Sequence, residues 1–432
     1  MTRVTTRGVC ALGSLMTVED QKAVCPSKDK IAFVLYGYGL GNSPTLINAA
    51  NMLAKEGFEV DFYTYGTYLG NVHFEDDTIR VHNMLENDLG FWQRVFGFSQ
   101  KCLRRIAGCL PWEYQLHFER RTLEKAVKKF VKACKKKFRG RCYNLIIGVE
   151  PLGMMAADLL SKRFGVPFAY YNLELHHGPD LKTVTEFAVK EIEKTHNRNA
   201  EFTVTLDSER AHLIALENDV DPKTILKVPV CADGEPYSEK SDELRKRLNI
   251  GKDKRIILYA GFWADWAMCE DLAKVAQGWP EDWIMVFHTH GYYDPEYLKL
   301  LKKYECDQVM FSTEPVVYED LAAFLASADV GVALYRDLGR NFTLINSASG
   351  KLAHYLRSGL PVIVNSYPGI RETVAMYQCG ESVDHPGQMT AALHAIFNGY
   401  EDMRRAALRC YEENYRFSRH FSHVIERIKS VA

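Results

Sequence analysis

Short apolar runs, four to seven residues long and rich in β-branched and aromatic side chains, recur along the chain, each followed by a turn and a helical pattern. Ile31–Tyr36, Val60–Tyr63, Tyr143–Val149, Pro167–Leu173 and Phe202–Leu206 set the rhythm of the first half. Arg255–Ala260, Trp283–Phe287, Val309–Ser312, Asp329–Leu334, Pro361–Val364 and Gly380–Val383 continue it in the second. Runs that do not alternate with polar residues suit strands buried on both faces, and helices between them make the connections parallel. The fold class read from this pattern is α/β, with two Rossmann-like domains facing a central cleft. A chain of 432 residues exceeds one comfortable core, and the rhythm pauses at the acidic, Gly/Pro-containing stretch Asp233–Pro236. The division is therefore placed at 30–225 and 226–400, with a long helical tail over 401–432. Residues 1–29 read as a flexible extension: Val9–Met16 follows Arg3 and Arg7, but Gly13, Ser14, Glu19 and Asp20 break it up too early for a leader.

Within the second half, residues 346–372 read NSASGKLAHYLRSGLPVIVNSYPGIRE. Ser347–Gly350 is a small-residue turn, Lys351–Arg357 has helix-forming character, and Gly359 stands where a helix stops. The Tyr367-Pro368-Gly369 turn then opens a helix carrying Arg371 and Glu372. A Ser/Gly turn at a helix start offers free N–H groups and the positive end of the dipole, which suits a phosphate. Lys351 adds a full positive charge there.

In the first half, Ile31–Tyr36 runs into Gly37, Gly39 and Gly41, with Ser43-Pro44 opening the following helix. GYGLGN lacks the third glycine of a dinucleotide fingerprint, so NAD is not the expected ligand; Gly39 and Gly41 instead let a ligand approach the strand's carboxyl end. Glu174, His176 and His177 follow Pro167–Leu173 at the corresponding place. No further residue completes a metal set with the two histidines by spacing. Asp219-Val220-Asp221 is formally a D-x-D, but it sits in a turn before Pro222, so no metal is expected.

Composition excludes some classes. The net charge is −1, and 47% hydrophobic with 25% charged residues is ordinary for a globular protein. Eleven cysteines without C-x-x-C pairs suit reduced thiols and a cytoplasmic setting. Residues 101–141 are the outlier, with fourteen Lys/Arg against three Glu. Upstream aromatics (Phe91, Trp92, Phe96, Phe98) extend the segment to 91–141. Basic charge beside aromatics suits an anionic membrane surface; the alternative is a packed helix with a solvated basic face. No recognition module accompanies the charge, so nucleic acid is not an expected partner.

The order ADVGVAL, SGKLAHYLRSGLPVIV, PGIRETV and CGESVD across residues 329–384 resembles the nucleotide-sugar half of a GT-B glycosyltransferase, in particular the family 4-like retaining enzymes. Weaker matches extend over about residues 30–430. The resemblance implies a C-terminal helix returning to the N-terminal domain and a nucleoside diphosphate sugar, UDP- or GDP-type, held without metal or other cofactor. Transfer would be to a hydroxyl acceptor with retention, the acceptor being lipid-linked or a cell-surface glycan if the protein is peripheral at the inner face of a membrane. It implies donor contacts at Gly261, at the backbone around Val317 and at Ser349, Gly350 and Lys351. Glu174 falls where the family often has a His, and is the candidate for meeting the donor sugar or acceptor hydroxyl, with His176 and His177 on the acceptor side. The family's Glu-x7-Glu motif, whose second Glu usually holds the ribose, reads Asn346…His354 here, so either the ribose is recognised differently or Glu372 and its neighbours take part of that role. The usual basic pair after the first strand of the second domain is missing from GFWADWA, which concentrates the diphosphate on Lys351. Two other readings stay open: a nucleotide-sugar epimerase on the same fold, and a non-catalytic binding or scaffold protein.

Overall fold

The structure, a computed structural model, describes residues 29–65, 74, 76–84, 111–289, 291 and 293–431. The extension before residue 29 and residues 91–110 of the basic segment lie outside these. The first sheet is parallel, with strand order β3-β2-β1-β4-β5-β6-β7. Its strands are β1 (Lys30–Tyr36), β2 (Glu59–Tyr65), β3 (Ile79–Asn83), β4 (Leu145–Val149), β5 (Phe168–Tyr171), β6 (Thr203–Thr205) and β7 (Ile225–Lys227). Central β1 buries Ile31 to Leu35 completely, as its unbroken apolar run requires. The edges are less regular. β3 buries only Ile79, so it has no continuous apolar run and no counterpart in the sequence reading. β7 pairs with β6, so the first sheet takes residues from beyond the 225/226 division.

The crossover helices are α1 (Pro44–Lys55), α2 (Trp112–Phe138), α3 (Glu150–Phe164), α4 (Val184–Asn197) and α5 (Ser208–Asn218). α3 lies unusually close to the sheet: a Cβ on Gly153 would stand 2.5 Å from the Val34 carbonyl oxygen, and one on Gly148 2.4 Å from the Met154 Cα. Glycines at these two contacts bring the first turn of α3 down onto the ends of β1 and β4. α2 buries Val127, Phe130, Val131, Cys134 and Phe138 and leaves its lysines on the opposite side.

The second sheet, also parallel, has the order β10-β9-β8-β11-β12-β13, from β8 (Arg255–Ala260), β9 (Trp283–His288), β10 (Val309–Ser312), β11 (Val330–Ala333), β12 (Val362–Asn365) and β13 (Gly380–Val383). Its helices are α6 (Glu243–Leu248), α7 (Cys269–Ala276), α8 (Pro295–Leu301), α9 (Leu321–Leu325), α10 (Arg340–Thr343), α11 (Gly350–Arg357), α12 (Ile370–Tyr377) and α13 (Met389–Asn398). The helix expected over 265–277 is interrupted, because Met268 takes a left-handed conformation (φ 56°) between a single 3-10 turn and α7. On the other side of the sheet the Tyr355 ring of α11 packs against Gly331 of β11, where a Cβ would come within 2.5 Å of it.

The tail is two helices, α14 (Tyr400–Asn414) and α15 (Phe417–Val431). α15 returns to the first domain: Lys429 pairs with Glu56 at the end of α1 (2.6 Å), and Arg427 donates to the Glu201 carbonyl (3.4 Å). In each sheet the strand order reverses once, between β1 and β4 and between β8 and β11. Open α/β sheets bind ligands at the carboxyl ends beside such a reversal.

Candidate functional site

In the second domain the reversal is occupied by Lys351. Its ammonium donates to the Tyr259 hydroxyl at 2.9 Å and lies 4.2 Å from the Tyr259 ring centroid, 4.6 Å from Tyr335 and 5.6 Å from Trp266. These rings come from β8, from the loop after β11 and from the turn after β8. Among the described residues no carboxylate forms an ion pair with Lys351. Burial therefore pulls its pKa down to about 7, opposed only by the nearby Cys269. Gly261 lies beside this cage, its Cα close enough that a Cβ would touch Lys351 Cε at 3.5 Å, and its φ of 154° is one that glycine adopts readily.

Lys351 is the second residue of α11, whose start is fixed locally. Ser349 is the N-cap: its Oγ accepts from the Leu352 N–H (3.2 Å) and shares a hydrogen bond with the Tyr335 hydroxyl (2.6 Å). Gly350 follows, and a Cβ there would meet Val230 at 3.4 Å. The small-residue turn thus starts α11 directly before Lys351, so the positive end of the helix dipole and the Lys351 charge belong to the same first turn.

The positions where the resembled family carries acids are built differently here. Asn346 is anchored from the tail, its Oδ1 accepting from the Tyr415 hydroxyl at 2.8 Å. His354 is buried, its Nδ1 has no hydrogen-bond partner among the described residues, and its ring meets Tyr318 edge-on at 5.7 Å. Burial, and secondarily Arg357, lowers its pKa to about 4, so the imidazole is neutral near pH 7. Glu372 is exposed and serves its own helix, accepting from the Gly369 N–H (2.5 Å) and pairing with Arg371 (2.7 Å). Val317 is 61% exposed at the turn after β10.

In the first domain, Gly39 and Gly41 lie in the turn after β1, with Gly39 preceding the 3-10 turn Leu40–Asn42. Beside that turn stands Glu150, absent from the sequence reading. It opens α3 directly after β4 and has φ 58°, a left-handed conformation that is uncommon for a residue with a side chain and tends to cluster at functional sites. One Glu150 oxygen accepts from the N–H groups of Leu173 (2.7 Å) and Glu174 (3.1 Å), and the other lies 3.7 Å from His176 Nε2. Burial lowers the His176 pKa, but Glu150 and Glu193 more than offset this, and the imidazole is held above its ordinary value. Tyr38 lies close enough to Glu150 and Glu174 that burial and these two carboxylates push its phenol upward.

Glu174 opens to solvent at the cleft, and its Oε2 accepts from the Asn341 side chain of the other domain at 2.7 Å. The residue as a whole is exposed, but the protein packed around its carboxyl, and secondarily the Glu150 charge, raise the carboxyl above its ordinary value, while Asn341, Arg210 and His176 pull it back. His177 turns elsewhere: its Nδ1 pairs with Glu217 at 2.5 Å, and Glu217 in turn binds Lys190 at 2.7 Å. The structure thus gathers Glu174, His176, Glu150 and Tyr38 in one domain, and Gly261, Ser349, Gly350 and Lys351 in the other. His177, Glu372 and Val317 stand apart from both groups.

No protein-family model matches the sequence, and no curated protein matches it. Among solved structures, the chain is similar to sucrose-phosphate synthase from Thermosynechococcus elongatus, with a TM-score of 0.68 and 17% identity over 94% of this chain and 100% of that one. It is similar to Anabaena HepE in complex with UDP, at a TM-score of 0.61 and 14% identity over 93% and 100%. A third is WaaG, a glycosyltransferase involved in lipopolysaccharide biosynthesis, at 0.56 and 12% over 88% and 94%. These likenesses establish the fold: two parallel-sheet α/β domains in the GT-B arrangement.

Proposed function

We propose that the protein is a retaining, family 4-like glycosyltransferase that moves a sugar from a UDP- or GDP-type donor to a hydroxyl acceptor. The observation that carries this reading is Lys351, a cation caged by three aromatic rings, with no carboxylate partner among the described residues, at the first turn of a helix. A half-buried cation held among aromatic rings rather than carboxylates is costly unless an anion neutralises it, and a diphosphate placed there meets Lys351 and the positive end of the α11 dipole together. The departing nucleoside diphosphate is an anion, so stabilising its charge is the main chemical task; removing one such donor commonly costs about 2.7–4 kcal/mol in other enzymes. In this reading Lys351 and the helix start do the work that other enzymes give to a metal. UDP is favoured as nucleotide by the likeness to HepE, itself seen with UDP and with UDP-glucose.

Glu174, with His176 and Glu150 behind it, is the group that meets the acceptor hydroxyl. The acceptor is lipid-linked or part of a cell-surface glycan, and the protein docks on an anionic membrane. Supporting this, Arg121, Lys125, Lys128, Lys132 and Lys136 lie exposed at helical spacing along α2, with Tyr114 exposed on the same face. Among the described residues no helix is long and apolar enough to cross a membrane.

The test is to incubate the protein with a panel of nucleotide sugars and follow nucleotide release with and without lipid extract. Release or transfer with one donor supports the reading. The neutral pair Asn346 and His354, in place of two acids, favours one rival, a non-catalytic nucleotide-sugar-binding protein, which would bind without turnover under every acceptor condition. An epimerase would convert the sugar and keep the nucleotide attached.

A further inference from the structure

One side chain links the two halves of the site. Asn341 belongs to α10, in the loop between β11 and α11, ten residues before Lys351. Its Oδ1 accepts from the Leu175 N–H (2.9 Å) and from Arg210 Nη1 (2.8 Å), both in the first domain. Its Nδ2 donates to Glu174 Oε2 at 2.7 Å. The amide has only one orientation compatible with this set, because a backbone N–H and a guanidinium can only donate. Oδ1 must face them, and the N–H is left pointing at Glu174.

Arg210 makes the arrangement rigid. It is fully buried, pairs with Asp207 at 3.3 Å, and its Nη2 donates to the Asn341 carbonyl (3.0 Å) and the Leu344 carbonyl (3.4 Å). An arginine of one domain thus holds the end of a short helix of the other. Nearby, the Arg340 N–H donates to Asp180 (2.5 Å), and a Cβ on Gly339 would come within 2.6 Å of the Asp180 carboxyl carbon. The loop is seated closely enough on the first domain that only glycine fits there.

We infer that Asn341 is a positioning residue, which orients the Glu174 carboxylate and favours its ionised form when the donor domain is docked against the acceptor domain. The inference rests on the reading of Glu174 given above. The contact exists only with the two domains together, so arrival of the donor-binding loop is coupled to preparation of the acceptor-side carboxylate. The other groups facing Glu174 are fixed within the first domain: the protein packed around its carboxyl and Glu150 on α3 oppose ionisation, while Arg210 on α5 and His176 in the same loop favour it, and the Tyr38 phenol lies beside it. Among these groups Asn341 is the one that comes from the other domain.

Asn341→Asp is the discriminating variant. It is isosteric, keeps acceptors for Arg210 and Leu175, and replaces the N–H facing Glu174 by an oxygen. The expected result is an acid limb of the rate profile displaced upward, with the rate at pH 5.5 relative to pH 8 falling by up to about tenfold for each unit of displacement. Asn341→Ala should displace it the same way by less. In a Glu174→Gln background neither change should alter the pH profile. A general loosening of the domain contact would instead lower rates equally at all pH values, and in both backgrounds; that outcome, or an unchanged profile in Asn341→Asp, overturns the inference. The Glu174 titration is also read directly, by carbon-13 NMR of labelled glutamate assigned against Glu174→Gln, and an unchanged midpoint in Asn341→Asp overturns it equally. If the parent protein turns over no nucleotide sugar, the transferase reading fails, while the NMR titration still decides the role of Asn341.

Discussion

Donor affinity should depend on pH through Lys351, in a direction and by an amount that follow from its surroundings. The Lys351 ammonium sits in an aromatic cage where no carboxylate of the described residues pairs with it, and its pKa falls to about 7. A bound diphosphate supplies the missing anion and returns the pKa toward the ordinary lysine range. Only the protonated form then binds well, so the apparent association constant is nearly full at pH 6, halved at pH 7 and about tenfold lower at pH 8, roughly 1.4 kcal/mol between pH 6 and 8. Binding takes up about half a proton at pH 7 and about 0.9 at pH 8 by the same arithmetic. Calorimetry of UDP-glucose binding, in buffers of differing ionisation enthalpy, measures both quantities. UDP-glucose is the useful probe because both its phosphates are esterified and neither titrates in this range. Lys351→Arg, permanently charged, should weaken binding yet abolish the slope. Flat affinity between pH 6 and 8 in the parent, or the same slope in Lys351→Arg, would refute the reasoning.

Other expectations follow from single contacts. Lys351→Met should stabilise the fold by about 1–3 kcal/mol in urea titration, since it removes a half-buried cation whose charged form its surroundings disfavour. The gain should shrink as pH rises from 7 toward 10.5, where the unfolded lysine still binds a proton that the folded one has lost. Gly331→Ala should cost about 1–3 kcal/mol, because the added methyl runs into the Tyr355 ring. His354, with its pKa lowered to about 4, should make stability fall as pH drops from 6.5 toward 4, and His354→Phe should remove that part of the acid dependence in denaturant midpoints. Changing Lys125, Lys128, Lys132 and Lys136 together to Gln should weaken binding to phosphatidylserine vesicles by about 1 kcal/mol per charge; parent protein that ignores such vesicles would end the membrane reading.

The order of strands was legible because β1, β4, β8 and β12 are buried on both faces and therefore spelled as unbroken apolar runs. β3 was not, because a half-exposed edge strand such as IRVHN has no such run. Lys351 could be picked out because helix start, small-residue turn and charge are neighbours in the sequence. Its cage could not: Tyr259, Trp266 and Tyr335 come from segments that only the sheet brings together. Glu150 carried a weak signal, a carboxylate between a strand and a proline, but nothing in that signal announced its left-handed backbone or its contacts with Leu173, Glu174 and His176. Asn341 was invisible for another reason. Nothing local marks it, and its partners Glu174, Leu175 and Arg210 lie in the other domain.

The most direct test of the account is the rate of nucleotide release from the best donor in a nucleotide-sugar panel, parent against Lys351→Ala, with folding of both checked by circular dichroism. The account predicts measurable release by the parent and a loss of about 10²–10³-fold in the variant, the usual consequence of removing a charge-stabilising donor. Equal rates in the two proteins would contradict it.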